Sequence, residues 1–492
     1  MSKGPGDSDL LGHRAVSAVR WTGASTVAAA LLQVAQLVVL TRLLAPRDFG
    51  LMAMVSVVVG FAETVADMGI SSSVIQRQDA TVEELSSLYW LTIFIGGLVF
   101  VLLSAAAPLA ASFFHEPRVM TILPWSATMF ILTPLGAQFM ALMQRDLEFG
   151  KLARIEAGAA FIGTTLSIGA AVLGAGVYAL VCGQLVSAAC RSGVAFVLAK
   201  PGSRPRFHFR WQDLERFWKF GLFQAGQQVV SSLSANLDRL LVGRLLGTVA
   251  LGYYTVAAQI ATKPRAVLNP VLTRVAFPVF STVQEDNPRL IRGYLKMTEA
   301  VALLNVPMYA GLAVLAGPVV HTLLGGKWAL SIPILSILSV MGILRSLANP
   351  IGSLVLAKGR ADLGFWSNSG QLLLSWIAIV VAARWGTCGI ATAELGVSAF
   401  TTAAIGFPIR RYLVGMSARQ YIVAVSPYLA SAAVMAAVLL PIVHIVFGPP
   451  QLRLGAQVLL GAAVYGVGVF AARGSTLRYM LATALKPARV PR

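Results

Sequence analysis

The sequence predicts an all-α polytopic membrane protein. It has fourteen transmembrane helices, as two parallel six-helix lobes plus two C-terminal helices. Three observations predict this: apolar runs of helix-spanning length that follow one another almost without pause, basic residues gathered on one side, and an internal repeat. The chain is 57% hydrophobic and 12% charged. A helix of about 20 apolar residues matches the roughly 30 Å hydrocarbon core of a bilayer, and only a helix or closed barrel satisfies its own backbone there.

The runs place helices at 16–40, 50–70, 88–110, 120–143, 155–175, 178–199, 217–243, 251–275, 297–323, 331–357, 363–383, 388–407, 421–447 and 452–472. Thirty of the 39 Lys and Arg residues then fall in one alternate set of connectors, eight in the other, and Arg345 lies inside a helix. The positive-inside rule puts the rich set, with both termini, in the cytoplasm. The expected organisation is a cytoplasmic tail (1–15), an N-lobe (16–199), a cytoplasmic linker (200–216), a C-lobe (217–407), two further helices (408–472) and a basic cytoplasmic tail (473–492).

The net charge of +19 does not point to nucleic acid here. It sits at helix ends, where it orients the chain and meets anionic lipid. No connector is long enough to bury a core of its own, so a soluble catalytic domain is not expected. No catalytic residue, metal site or cofactor is predicted. The first apolar run reads as a retained signal anchor, because no small-residue cleavage site precedes it. Cys182, Cys190 and Cys388 have no ligand spacing and read as small buried hydrophobes.

The repeat is visible in particular residues. Arg42-Leu43-Leu44 followed by Gly50 recurs 202 residues on as Arg244-Leu245-Leu246 followed by Gly252. Pro124 finds a counterpart in Pro333, and Leu142 to Gly150 in Leu356 to Gly364. Each copy holds six helices, an even number, so the copies enter the membrane from the same side.

Polar residues inside the helices are the candidate site. Gln224, Gln228, Ser231 and Asp238 line one stripe of the seventh helix, and Gln33 and Gln36 lie on the equivalent face of the first. Such a face is costly against lipid, so it turns toward a cavity or a partner helix. Arg345, with Asn349 one turn on, calls for a cavity, an acidic partner or a substrate phosphate; Glu394 and Asp238 are the acidic partners within reason. Glu63 and Asp67 in the second helix correspond to Arg265 and Asn269 in the eighth, beside Lys263. Opposite charges at equivalent depth predict a cytoplasmic gate between lobes; pairing within one lobe is the plainer alternative.

Three segments carry a resemblance. Thr41-Arg42-Leu43-Leu44-Ala45-Pro46-Arg47-Asp48-Phe49-Gly50 and Asp67-Met68-Gly69-Ile70-Ser71-Ser72-Ser73-Val74-Ile75-Gln76-Arg77 resemble the same regions of Wzx-type polysaccharide repeat-unit flippases. So does Asp238-Arg239-Leu240-Leu241-Val242-Gly243-Arg244 with Gly252-Tyr253-Tyr254. The similarity is greatest to the colanic-acid and xanthan branch of the multidrug/oligosaccharidyl-lipid/polysaccharide exporter superfamily. It implies a twelve-helix, two-lobed core in the bacterial inner membrane. The implied cargo is an oligosaccharide on undecaprenyl pyrophosphate, moved to the periplasmic leaflet by alternating access. A proton or sodium ion is the coupling ion that reading admits, and polymerase or chain-length machinery the further partner. The alternatives are a cation-coupled multidrug exporter of the superfamily and, less favoured, a polytopic polymerase or acyltransferase.

Overall fold

The computed structural model describes residues 29–67, 74, 81–200, 202, 204–445 and 448–484; within these, the side chains of 65, 67, 213–231, 233, 234, 270–279, 361, 444, 445 and 473–484 stay outside the description. The described residues are helical, with short turns between helices and no strand. We number the main helices α1 (Ala29–Leu43), α2 (Pro46–Asp67), α3 (Val82–Phe114), α4 (Val119–Leu132), α5 (Pro134–Arg145), α6 (Phe149–Val172), α7 (Val177–Val197), α8 (Glu215–Thr282), α9 (Asn287–Val314), α10 (Ser331–Ala348), α11 (Pro350–Ala357), α12 (Ala361–Ala382), α13 (Gly386–Thr401), α14 (Phe407–Val414), α15 (Ala418–Ile445) and α16 (Pro450–Ala484).

Local chemistry sets the ends. Thr81 caps α3: its hydroxyl accepts from the Glu84 amide at 3.2 Å while Glu84 accepts from the Thr81 amide at 3.0 Å. His115 closes the same helix in the left-handed region, at φ 53°. Gly247, at φ 83°, breaks α8 into two arms, a conformation with no steric cost for glycine. Gly386, at φ 72°, separates α12 from α13.

Among the described residues nine helices are long and apolar enough to cross a membrane, ten if the bent pair α4–α5 is one span. Two of the nine, Ala235–Asn269 and Asp362–Val414, run through Gly247 and Gly386 and so each join two of the sequence-predicted segments. The multi-pass character therefore stands, with a lower count by this measure.

Two compact units divide the chain, Met1–Thr255 and Val256–Arg492. In the first, Tyr89 of α3, Phe139 of α5 and Ala195 of α7 share a buried cluster. In the second, α9 is the hub: Tyr294, Val301 and Val306 pack with Tyr421, Tyr428 and Met435 of α15 and Tyr465 of α16. The last two helices thus cover an apolar face of α9. The three cysteines correct one expectation: they are free but only partly buried, on α7 and α13. A thiol is apolar enough to sit on a half-exposed face of a membrane helix without cost.

Candidate functional site

The charged centre of the second unit lies on α10 and α13. Arg345 Nη2 donates to Glu394 Oε2 at 2.6 Å, and its Nε donates to Ser398 Oγ at 3.3 Å. Glu394 and Ser398 are one turn apart on α13, so one helix face presents both acceptors. The Glu394 side chain is 6% exposed, whereas that of Arg345 is 30% exposed. The arginine therefore has a counter-ion and still keeps part of its guanidinium open. Arg265 and Tyr309 lie within electrostatic reach of Arg345. Gly342, one turn before Arg345, lets the Tyr309 ring close in: a Cβ there would stand 2.3 Å from the ring. Asn349 is partly buried, and its Nδ2 has no partner among the described residues.

The first unit treats its polar residues differently. Asp238 accepts from the hydroxyl of buried Tyr254 at 2.9 Å and from the Arg239 amide at 2.8 Å. Gln36 accepts from Thr164 of α6 at 3.2 Å, which is helix-to-helix bonding; Gln33 is exposed. The side chains of Gln224, Gln228 and Ser231, and of Asp67, lie outside the described residues. Glu63 is exposed and feels the charge of Arg191 on α7, a basic neighbour inside its own unit. Lys263 and Arg265 are both partly buried on α8.

A second charged cluster escaped the sequence reading. It sits where the two repeated corners meet, inside the first unit. Built on Gly50, a Cβ would lie 1.8 Å from the Thr248 carbonyl oxygen; built on Gly252, it would lie 1.9 Å from that of Pro46. A shift of 202 residues turns one contact into the other, so the two corners make equivalent contacts with each other. Glycine is required at both. Beside them Glu116 is nearly buried; it accepts from Arg47 Nη2 at 3.2 Å on both oxygens and from Thr248 Oγ1 at 2.8 Å. Burial works to raise this carboxyl. The bonds from Thr248 and Arg47, and the Arg47 charge, outweigh it and hold the group below the usual carboxylate range. Arg244 bonds His115 and lies over the Phe113 ring, 5.5 Å from its centre.

Arg410 was also missed. It is 1% exposed, donates from Nε to Tyr294 at 2.8 Å, and lies 4.4 Å above the centre of the Tyr421 ring. Aromatic faces rather than a carboxylate receive its charge. The only sequence signal is the tyrosines of two other helices, which nothing in the chain order links to it.

Two helical units with charged and amide groups held inside long apolar helices define a class: a polytopic membrane protein. The chain belongs to the family described as polysaccharide biosynthesis protein, which matches residues 39–333. The teichuronic acid biosynthesis protein TuaB of Bacillus subtilis (strain 168) is 34% identical over 423 residues, 85% of this chain and 87% of TuaB. The lipopolysaccharide biosynthesis protein WzxC of Escherichia coli (strain K12) is 33% identical over 413 residues, 84% of each chain. Among solved structures, the lipid II flippase MurJ in an inward closed conformation aligns with a TM-score of 0.75 at 14% identity, over 93% of this chain and 100% of MurJ. An inward-facing multidrug MATE transporter aligns with a TM-score of 0.60 at 15% identity, over 78% of this chain and 94% of the transporter. At such identities the likeness is one of fold.

Proposed function

We propose that this protein flips an undecaprenyl-pyrophosphate-linked oligosaccharide repeat unit from the cytoplasmic to the periplasmic leaflet of the bacterial inner membrane. Family membership and the names of TuaB and WzxC supply the cargo class; the fold likeness to MurJ supplies the mode of transport. In this reading the helices make fourteen crossings, with both termini cytoplasmic and two lobes rocking about the cargo path.

Arg345 is the observation that carries the reading. A guanidinium on a membrane helix costs at least about 2.5–3.5 kcal/mol to insert, and this one remains partly open after pairing with Glu394. Its planar fork suits a pyrophosphate oxygen pair. Cargo arriving at Arg345 must displace or share Glu394. The buried carboxylate so released needs neutralising, which a proton or sodium ion would supply. Asp238 is already committed to Tyr254, which weighs against the cationic-drug exporter reading.

Asn349, Gln33, Gln36, Gln224, Gln228 and Ser231 are the further cavity candidates. Glu63 and Asp67 against Lys263 and Arg265 remain the proposed cytoplasmic gate, supported by their opposite charges at equivalent repeat positions. Reversing Glu63 and Arg265 together should recover part of the transport lost on reversing Glu63 alone.

Deletion of the protein tests the function. Undecaprenyl-linked repeat units should accumulate on the cytoplasmic leaflet and export of one polysaccharide should stop. Unchanged lipid-linked pools and unchanged polymer output would refute the reading.

A further inference from the structure

Residues 204–211 read Arg-Pro-Arg-Phe-His-Phe-Arg-Trp, with cationic and apolar side chains in near alternation. The segment is not helical up to Arg210; it lies along the first turns of α3 and bends at Phe207, where the His208 amide donates to the Arg206 carbonyl at 2.8 Å. It is fixed there by its own backbone. The Arg206 amide donates to Ser86 Oγ at 3.0 Å and the Arg210 amide to Ser87 Oγ at 3.1 Å. Trp90 Nε1 donates to the Arg206 carbonyl at 2.9 Å, and its ring stacks on Phe207 at 5.2 Å. Both serines are fully buried.

What this strap shows to its surroundings is unusual. Phe207 is 97% exposed and Trp211 66% exposed, and Arg204, Arg206 and Arg210 are all exposed. Arg206 reaches Glu83 at 3.5 Å, which answers one of the three charges in part. Arg204 lies over the Phe196 ring, 5.8 Å from its centre. Open aromatic rings beside exposed guanidiniums would be a liability in water.

Depth resolves the matter. α3 has 33 residues, about 50 Å of helix, against a hydrocarbon core of roughly 30 Å. Its continuous apolar stretch begins after Trp90, so the turns that hold the strap stand at headgroup level. Aromatic rings favour that layer, and arginine forks suit its phosphates.

We propose that residues 204–211 form a prefixed strap that binds anionic phospholipid headgroups, through Arg204, Arg206 and Arg210, with Phe207 and Trp211 seated in the interface. The occupant is anionic rather than zwitterionic lipid, because the exposed face carries net positive charge. By the positive-inside argument the leaflet is the cytoplasmic one. The inference rests on membrane embedding alone and is independent of the cargo.

The test uses the full-length protein in bilayers of phosphatidylcholine with phosphatidylglycerol. One lipid or the other carries brominated chains, which quench nearby tryptophan. With nine tryptophans in the chain, the strap signal is the difference between the protein and its Trp211→Phe variant. Brominated phosphatidylglycerol should quench Trp211 more than brominated phosphatidylcholine does. Each arginine near an anionic surface contributes roughly a fivefold preference, so the triple change Arg204→Gln, Arg206→Gln, Arg210→Gln should remove most of it. The triple lysine variant should keep it, which separates loss of charge from loss of fold. Equal quenching by the two lipids in the unaltered protein would overturn the proposal, as it would if the strap faced water or an acidic protein. A phosphatidylglycerol preference that survives the glutamine changes would overturn it as well.

Discussion

Two helix crossings, one in each unit, solve the problem of close contact in opposite ways. In the first unit α5 crosses α7 at Gly136, where a Cβ would stand 2.3 Å from the Ser192 Cα. In the second unit α10 meets α13 at Arg345, which reaches Ser398 and Glu394. The first crossing is closed by the absence of a side chain. The second is bridged by an ion pair. The difference marks where polar chemistry was added to a helix crossing, and the first unit shows that such a crossing can close without it.

Breaking the charged version should have the largest effect. Arg345→Ala leaves Glu394 buried without its counter-ion. Such a loss costs about 3–5 kcal/mol, and the part exposure of Arg345 places this case toward the lower end. Thermal unfolding in detergent should show it, whatever the cargo.

The glycine version should break by overpacking. Gly136→Ala must push α5 and α7 apart against backbone, at a cost of about 1–3 kcal/mol, read as a lower melting temperature. No change would mean the crossing is looser than its geometry.

The corner contact sharpens the comparison through pH. Glu116 has a depressed carboxyl, so its bonds stabilise above the ordinary value of 4.5 and are lost as pH falls through the depressed one. Glu116→Gln should therefore cost about 1–2 kcal/mol at neutral pH, and the gap from the unaltered protein should shrink as pH drops below 4.5. A gap that stays constant would remove the carboxylate's charge from the account.

The sequence made much of the helical frame readable, because the predicted apolar segments fall largely on helix where their residues are described, with turns at Thr128, Thr133, Leu315, Asn349 and at the ends of two segments. A solvent that satisfies no backbone leaves long apolar runs little choice. Contacts were harder to read. The repeated Arg-Leu-Leu to Gly motif was plain, but that Gly50 and Gly252 face each other's chain was not, since close approach leaves no trace except the lack of a side chain. Glu116 looked like any turn residue, because its partners Arg47 and Thr248 lie 69 and 132 residues away. Arg345 announced itself by its cost, and Glu394 was named among its partners. Arg410 was counted as an ordinary connector cation, yet it is buried among rings of α9 and α15. The cysteines misled for the opposite reason: apolar character fits a lipid-facing position as well as a core.

The central claim is that Arg345 serves the cargo and Glu394 serves Arg345. Replacing both, as Arg345→Leu with Glu394→Leu, removes the ion pair without leaving a lone buried charge. The measurement is transport of the lipid-linked repeat unit, read as polysaccharide output at matched protein level, beside the melting temperature. The account predicts that stability returns to near that of the unaltered protein while transport stays abolished. Recovery of both together would show the pair to be structural and take Arg345 out of cargo binding.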